Sequence, residues 1–460
     1  MAQNPDIATA VKKIKDAEDA YDKAARYYRG EHDLCFATEK FRNVFGQLFR
    51  EFALNMCPAV VDAVRDKLVV ENFSVEEGDA GIAEEAWAIW QANRMGVAAG
   101  QVHKEAVKNG DAYAIVWPNP STGKVTIYPN RAANCCVEYD DETPGKILWA
   151  AKYWKTNDKR LRMNLYYPDR IERYATKQDK WLDEAAKSTT PTPTLNATAF
   201  EPAEDGPVIT NPYGVVPVFH FANNADLDGA GQSELAAALP IQDALNKSVL
   251  DMMVAMEFSA YRQRWAAGIE IEYDEKTGAA IPPFKAGIER LWITENGEAK
   301  FGDFEATDLE QFLSVKDGFR TDMATVTGTP LHYFMLTGAA FPQSGVSIEK
   351  LESRFLNKVR DRQQAFGQVW EDVMSFALMI EGKKDVRLFV DWQDPAPMSE
   401  LDKLNNLILK KEIGVTDSEL MVEAGYGEDD IKRMLEEKAA AREAMVRSFN
   451  AGEDLEENAK

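Results

Sequence analysis

The chain has 460 residues, with 53 Lys and Arg against 76 Asp and Glu, and a formal net charge of −23. It is long enough for two to four domains, and 45% hydrophobic with 28% charged residues is a globular composition able to bury sizeable cores. So acidic a chain excludes a broad cationic grip on a phosphate backbone, which needs clustered Lys and Arg; any contact with nucleic acid is repulsive on average, or local.

The opening segment is polar and helical with no apolar h-region, so no signal peptide is expected, and the absence of any run of about 18 apolar residues argues against a membrane span. Helical periodicity covers Asp6–Tyr28, Glu39–Lys67 and Ile82–Lys108, with a turn at Gly30 after the first. An apolar stripe from Asn55 through Pro58, Val61, Val64 and Leu68 ends at Phe73. A β-meander follows, with strands predicted at Ala112–Trp117, Val125–Tyr128, Ile147–Trp154, Arg162–Tyr167 and Ile171–Ala175. Ser188–Ala203 reads as an exposed loop, and Asn211–Phe221 as turn chemistry leading into a strand.

Helical character then returns. Gln232–Tyr261 carries Leu235, Leu239, Leu245, Val249, Met252, Met253 and Met256 at near-helical spacing, with Pro240 expected to kink or restart the helix. A short β-like insert spans Gly268–Thr294, Asp308–Thr327 is helical, and Thr327–Gly345 is a Gly/Pro-rich loop. Val346–Glu381 reads as one long helix of roughly 54 Å, with Ile348, Leu351, Phe355, Val359, Phe366, Val369, Val373, Phe376 and Ile380 on one face. A short strand, Val386–Trp392, leads to helices at Ser399–Lys411, Thr416–Ala424 and Asp429–Phe449, the second opened by a Thr416–Glu419 capping box. The acidic end, Gly452–Lys460, is expected to fray.

Motifs for chemistry are missing. There is no Walker A loop and no G-x-S-x-G elbow, and His32, His103, His220 and His332 are too scattered to form a metal box. Cys35, Cys57, Cys135 and Cys136 read as reduced, partly buried thiols. Asn224–Gly229 fits the first half of a calcium loop, but Leu235 stands where a bidentate Glu is required, so a polar turn is the reading. The methionines read as helix packing. Arg354, Lys358, Arg360 and Arg362, interleaved with Glu349, Glu352 and Asp361, read as a solvated or intersubunit face. No catalytic, cofactor or metal residue is assigned, and the class is a structural or interaction protein, not an enzyme. The competing readings are another oligomeric connector or scaffold and a nucleic-acid-processing enzyme, which would need a convergent polar site. The fold class is α+β, mainly helical, with long helices bracketing a small β insert. Those helices lack the means to bury their apolar surface alone, which points to intersubunit packing.

This order resembles the portal proteins of tailed bacteriophages, in the branch typical of siphophages of Gram-positive hosts. The carrying residues are Tyr27–His32 (YYRGEH), Asn55–Phe73, Asn211–Phe221 with Asn223-Asn224, Gly231–Glu234 (GQSE) with Leu245-Asn246, and Gly328–Gly345 running into Val346–Phe355. The resemblance implies a wing at residues 1–231, stem helices at 232–263 and 308–327, and a clip at 264–307. It implies a tunnel loop at 328–345, a long wing/crown helix at 346–381, and a crown with an acidic tail at 382–460. It further implies a ring, usually of twelve subunits, at one vertex of the virion head, assembled in the host cytoplasm and passing double-stranded DNA during packaging, retention and ejection. The partners implied are a terminase packaging ATPase, the major capsid and scaffolding proteins, and a head–tail adaptor, with no cofactor and no membrane. His332, Tyr333, Phe334 and Phe341, in the implied tunnel loop, are the candidate DNA-facing residues.

Overall fold

The computed structural model describes residues 4–33, 35, 39, 43, 54–75, 80–157, 160–176, 195–227, 229–260, 264–268, 272–273, 280–281, 297–303, 310–335, 345–383, 386–396, 400–427, 430–441 and 443. The chain divides into two compact units. The larger holds Met1–Gln343 and Lys350–Pro395, and the smaller holds Ser344–Glu349 and Ala396–Lys460.

The larger unit is layered because its strands alternate. Strands β1 (Val70–Val75), β2 (Asp111–Pro118) and β3 (Val125–Arg131) are followed by β4 (Cys135–Tyr139), β5 (Ile147–Lys155), β6 (Leu161–Tyr166) and β7 (Arg170–Thr176). Then come β8 (Phe200–Pro202), β9 (Val208–Thr210) and β10 (Val218–Ala222). Strands β10, β2 and β3 form one antiparallel sheet in that order, and β4 to β8 form a second, with β9 also on β7. Successive side chains of a strand point to opposite faces. Ala112, Ala114 and Val116 therefore enter the main core, whereas Tyr113 and Ile115 pack between the sheets. In β4 the adjacent cysteines part the same way: Cys135 lies between the sheets, and Cys136 lies under helix α1 (Pro5–Tyr28) with Ile7, Ala10, Val11 and Ile14. Strand β4 is absent from the sequence reading.

The main core lies on the far face of the first sheet, against α2 (Cys57–Arg65), α3 (Ala80–Ala92) and α4 (Met95–Asn109). The sequence predicts a single helix over Ile82–Lys108. It is two, broken at Arg94, whose φ of 55° is left-handed, while the Asn93 side chain accepts from the Ile127 amide at 3.0 Å. The rest of the larger unit comprises α5 (Leu239–Ala260), β11 (Arg264–Ala267), β12 (Glu272–Tyr273), β13 (Ala280–Ile281), β14 (Lys300–Asp303), α6 (Glu310–Thr327) and most of α7 (Gly345–Ile380). Strand β15 (Leu388–Trp392) pairs antiparallel with β1, so this strand belongs to the larger unit, and the smaller one resumes only at Ala396.

Helix α5 starts seven residues later than the periodicity suggests. The amides of Gln232 and Glu234 are taken by the carbonyls of Asn223 (2.6 Å) and Val107 (3.0 Å), so they serve tertiary contacts instead of a helix. Pro240 then sits in the first turn, where no N–H is needed. The smaller unit contains α8 (Glu400–Glu412), α9 (Asp417–Glu423) and helical residues 430–441. Thr416 and Glu419 form the capping box at the start of α9.

Candidate functional site

The two helices that bracket the β insert are both rooted in one buried polar seam on α7. Glu234 lies at the head of the segment leading to α5. Its carboxylate is 2.5 Å from Lys358 Nζ and 2.9 Å from the Arg362 guanidinium, all three side chains being 15% exposed or less. Asn223 donates to it as well, at 3.3 Å. Burial alone pushes the Glu234 carboxyl up, but Lys358 and Arg362 overcome that and hold it below the ordinary glutamate value. Lys358 also donates to the Thr327 carbonyl at the end of α6 (2.9 Å). One lysine thus ties the end of α6 to the approach to α5. The solvated or intersubunit role read for Lys358 and Arg362 is corrected: their partners are internal, while Arg354 and Arg360 are exposed.

A second buried acid lies further toward the start of α7. Glu352, 3% exposed, receives His332 Nε2 at 3.1 Å, and Lys67 Nζ is 3.8 Å from its other oxygen. This contact fixes the first of the residues read as DNA-facing. Tyr333 is 36% exposed with its ring 5.8 Å from that of Phe355. Phe334 is buried in the main core, which withdraws it from the DNA-facing set, because a ring only 6% exposed has no free face to meet a ligand. Phe341 lies outside the described residues.

The foot of α5 grips two earlier segments. Gln242 accepts from the Met56 amide (2.8 Å) and donates to the Leu54 carbonyl (2.5 Å), and Asn246 accepts from the Leu54 amide (3.1 Å). Asp243 accepts from the Tyr27 hydroxyl at 2.6 Å. Asn246 also donates to His32 Nδ1 (2.7 Å), so His32 Nε2–H donates to the Tyr27 carbonyl (3.1 Å), and burial lowers the histidine below its ordinary value. Gly30, at φ 85°, turns the chain between these two anchors. The short motifs YYRGEH, Asn55 and Leu245-Asn246 are therefore parts of one joint.

The GQSE motif is its counterpart. A Cβ on Gly231 would lie 2.0 Å from the Gly110 carbonyl oxygen, and one on Gly110 would lie 2.7 Å from that of Gly231. Ser233 Oγ donates to the Lys108 carbonyl at 2.5 Å. Beside it, Asp111 accepts from Tyr21 (2.6 Å), His220 Nε2–H (2.8 Å) and the Gly231 amide (3.2 Å), at the edge of a cavity of about 290 Å³. In the half calcium loop, Asp226 accepts from the Gln232 side chain (2.6 Å) and bonds the Ala230 carbonyl through its amide (3.1 Å), which is turn chemistry.

These groups pair one another. Among the described residues no group of three or more His, Cys, Asp and Glu could hold a metal, and no helix is long and apolar enough to cross a membrane. Cys57 and Cys136 are buried, which pushes their thiols up to about 12, the opposite of activation. The seam attaches: Lys358 fixes the approach to α5 and the end of α6 to α7.

Comparison with known proteins gives that attachment a context. Residues 11–444 match the family described as Phage portal protein, SPP1 Gp6-like. This chain belongs to that phage portal family. It is 28% identical over 407 residues to the portal protein of Mycobacterium phage L5, covering 83% of this chain and 78% of that one. It is 26% identical over 359 residues to the portal protein of Mycobacterium phage D29, covering 73% and 68%. A chain from the neck of an empty gene transfer agent particle overlaps it with a TM-score of 0.47 at 12% identity, over 84% of this chain and 94% of its own. Portal proteins are structural head-to-tail connectors, not a family of enzymes. In this portal chain the family-like motifs converge on the roots of α5 and α6. Sequence reading missed the ion-pair seam because Glu234 stands over 120 residues from Lys358 and Arg362. The signal present was the i, i+4 spacing of those two cations, which places them on one face of a helix.

Proposed function

We propose that the chain assembles into a ring, of twelve copies on the portal pattern, that forms the DNA channel at one vertex of the phage head. The carrying observation is the loss of burial along α5 and α6. Residues 242–250 of α5 are largely buried, residues 251–255 half-buried, and Met256 is 49% exposed. In α6 the described buried side chains are Met323, Ala324 and Thr327 at its root, while Leu313 and Val315 are 48% and 45% exposed. Such helices need neighbours, and copies around a ring supply them. On this reading α5 and α6 are the stem, residues 264–307 the clip, 328–345 the tunnel loop and 396–460 the crown. The rest of the larger unit is the wing.

The charge supports DNA as something conveyed. An acidic wall repels a polyanion and lets it slide, whereas bound phosphates would raise friction. With no nucleotide-binding motif in the sequence, the work of packaging falls to a separate terminase ATPase docking on the ring. Capsid and scaffolding proteins surround it in the head, and a head–tail adaptor meets the clip. His332, Tyr333 and Phe341 are the DNA-facing candidates that remain.

The test is imaging. Purified full-length chain viewed by negative stain should give rings with a central hole. A chain that stays monomeric at every concentration and ionic strength would sink the reading, and turnover of a nucleic-acid substrate would replace it with an enzyme.

A further inference from the structure

A second cavity, of about 450 Å³, is lined by the end of α2, the start of β1 and helices α3 and α4. All of its lining belongs to the larger unit. That volume lies in the range of small-ligand sites. Leu68, Val70, Met95 and the Trp90 ring give it apolar walls. Gly96 and Gly100, one turn apart on α4, also line it, and a Cβ at either would have nothing within 4 Å. The two glycines leave space where most helix positions carry a side chain.

Three polar groups on this lining lack what the buried seams elsewhere in the unit have. Trp90 is only 1% exposed, and its indole N–H has no acceptor among the described residues. Arg65 has a buried Nε–H in the same condition, although its Nη atoms reach Asp62 (3.5 Å) and Asp66 (3.1 Å). Lys104 Nζ stands 4.3 Å from the centre of the Tyr28 ring and pairs with no carboxylate among the described residues. Tryptophan, arginine and lysine side chains can only donate. Buried donors without acceptors are rare, because each loses its hydration without replacement. What these three lack is an acceptor, and a ligand that completes the site must bring one. Asp66, the one carboxylate on the lining, is turned to solvent with its side chain 61% exposed. Arg65 and Lys104 against Asp66 leave the lining one positive charge in excess, in a chain whose net charge is −23.

We propose that this cavity is a binding site for a small amphipathic carboxylate. Its apolar body lies along Leu68, Val70 and Met95 over the two glycines, and its oxygens supply the acceptors that Trp90, Arg65 and Lys104 lack. The site stands independently of the ring reading. A ligand held there joins α2, β1 and α4, and so stabilises the larger unit in proportion to its occupancy.

The experiment is calorimetric titration of the full-length chain with two carboxylates, phenylbutyrate and octanoate, and with phenylbutanol and phenylbutylamine as the neutral and cationic counterparts of the first. At least one carboxylate should bind saturably, with one site per chain, and raise the melting temperature. Phenylbutanol should bind at least tenfold more weakly than phenylbutyrate, and the amine should not bind. Lys104→Gln removes one charge from a half-buried side chain. It should weaken the carboxylate at least tenfold and leave the alcohol unchanged. Gly100→Leu fills the space beside the donors and should abolish binding of both. No binding of either carboxylate at millimolar concentration overturns the proposal, as does equal binding of phenylbutyrate and the amine. Wild-type carboxylate affinity in Lys104→Gln or in folded Gly100→Leu also overturns it. If Gly100→Leu fails to fold, Lys104→Gln decides the matter alone.

Discussion

Glu234 and Lys358 form a buried ion pair, 2.5 Å apart, that joins the approach to α5 to the long helix α7. Because Lys358 also holds the Thr327 carbonyl, the pair ties the approach to α5 and the end of α6 to one helix. A buried pair adds little against an apolar alternative, but breaking it strands a charge. Glu234→Gln leaves Lys358 and Arg362 facing each other without an anion, and should destabilise the larger unit by about 3–5 kcal/mol in urea unfolding. The Glu234 carboxyl sits below its ordinary value in the fold, so the folded state resists its protonation. Its contribution is therefore fully present above the unfolded glutamate range and lost as pH falls through the folded value. The gap between wild type and Glu234→Gln should be wide at pH 7 and narrow as pH falls below the ordinary glutamate range; a constant gap would refute the assignment.

His103 should make stability fall on the acid side for a different reason. Its ring is fully buried, donating from Nδ1 to the Leu68 carbonyl (3.0 Å) and accepting at Nε2 from Trp370 Nε1–H (2.8 Å). Neither ring nitrogen has room for a second proton, and burial pushes the histidine down to about 3 from 6.5. The unfolded chain gains the proton first, so the contribution is complete above pH 6.5. It should decline by about 1.4 kcal/mol per pH unit toward pH 3. His103→Gln should cost stability at pH 7 and flatten that slope in a series of urea midpoints.

Glycine substitutions should split in sign. Gly231→Ala drives a methyl into the Gly110 carbonyl and the Asp111 carboxylate, at 2.0 and 2.6 Å, and should cost several kcal/mol or prevent folding. Gly96 and Gly100 are inside α4 with nothing within 4 Å of an added Cβ. Gly96→Ala and Gly100→Ala should each stabilise the monomer by about 0.5–1 kcal/mol, read as a rise in melting temperature.

Tyr27→Phe should cost about 1–3 kcal/mol, since it removes the hydroxyl that Asp243, only 5% exposed, accepts at 2.6 Å. Tyr28→Phe, whose hydroxyl meets the part-exposed Asp62, should cost less. Equal losses in thermal unfolding would mean that burial of the acceptor is not what matters.

Local pattern made much of this chain legible. The 36-residue α7 falls within one residue of its predicted span, because a long helix with one apolar face repeats its signal many times over. Strands β2, β3, β5, β6 and β7 were visible through alternation and turn residues. Strand β4 was not, since Cys135–Tyr139 is short and both its faces are covered. The start of α5 was misread because hydrophobic spacing cannot report that the backbone amides of Gln232 and Glu234 are engaged elsewhere.

The sequence by itself determined the class of protein: acidic, without catalytic motifs, helical around a small β insert, and marked by short motifs in the portal order. These properties are written in composition and local order, which need no third dimension. Only the tertiary structure decided what those motifs are for. Tyr27, Asn55 and Asn246 meet because α5 lies across two segments about 200 residues away in sequence, and Glu234 finds Lys358 because its segment packs on α7 more than 120 residues further on. Partners brought together by chain folding leave no spacing to read. The same limit removed Phe334 from the DNA-facing set: a ring beside glycines and prolines looks exposed in sequence, and only packing shows that it is covered.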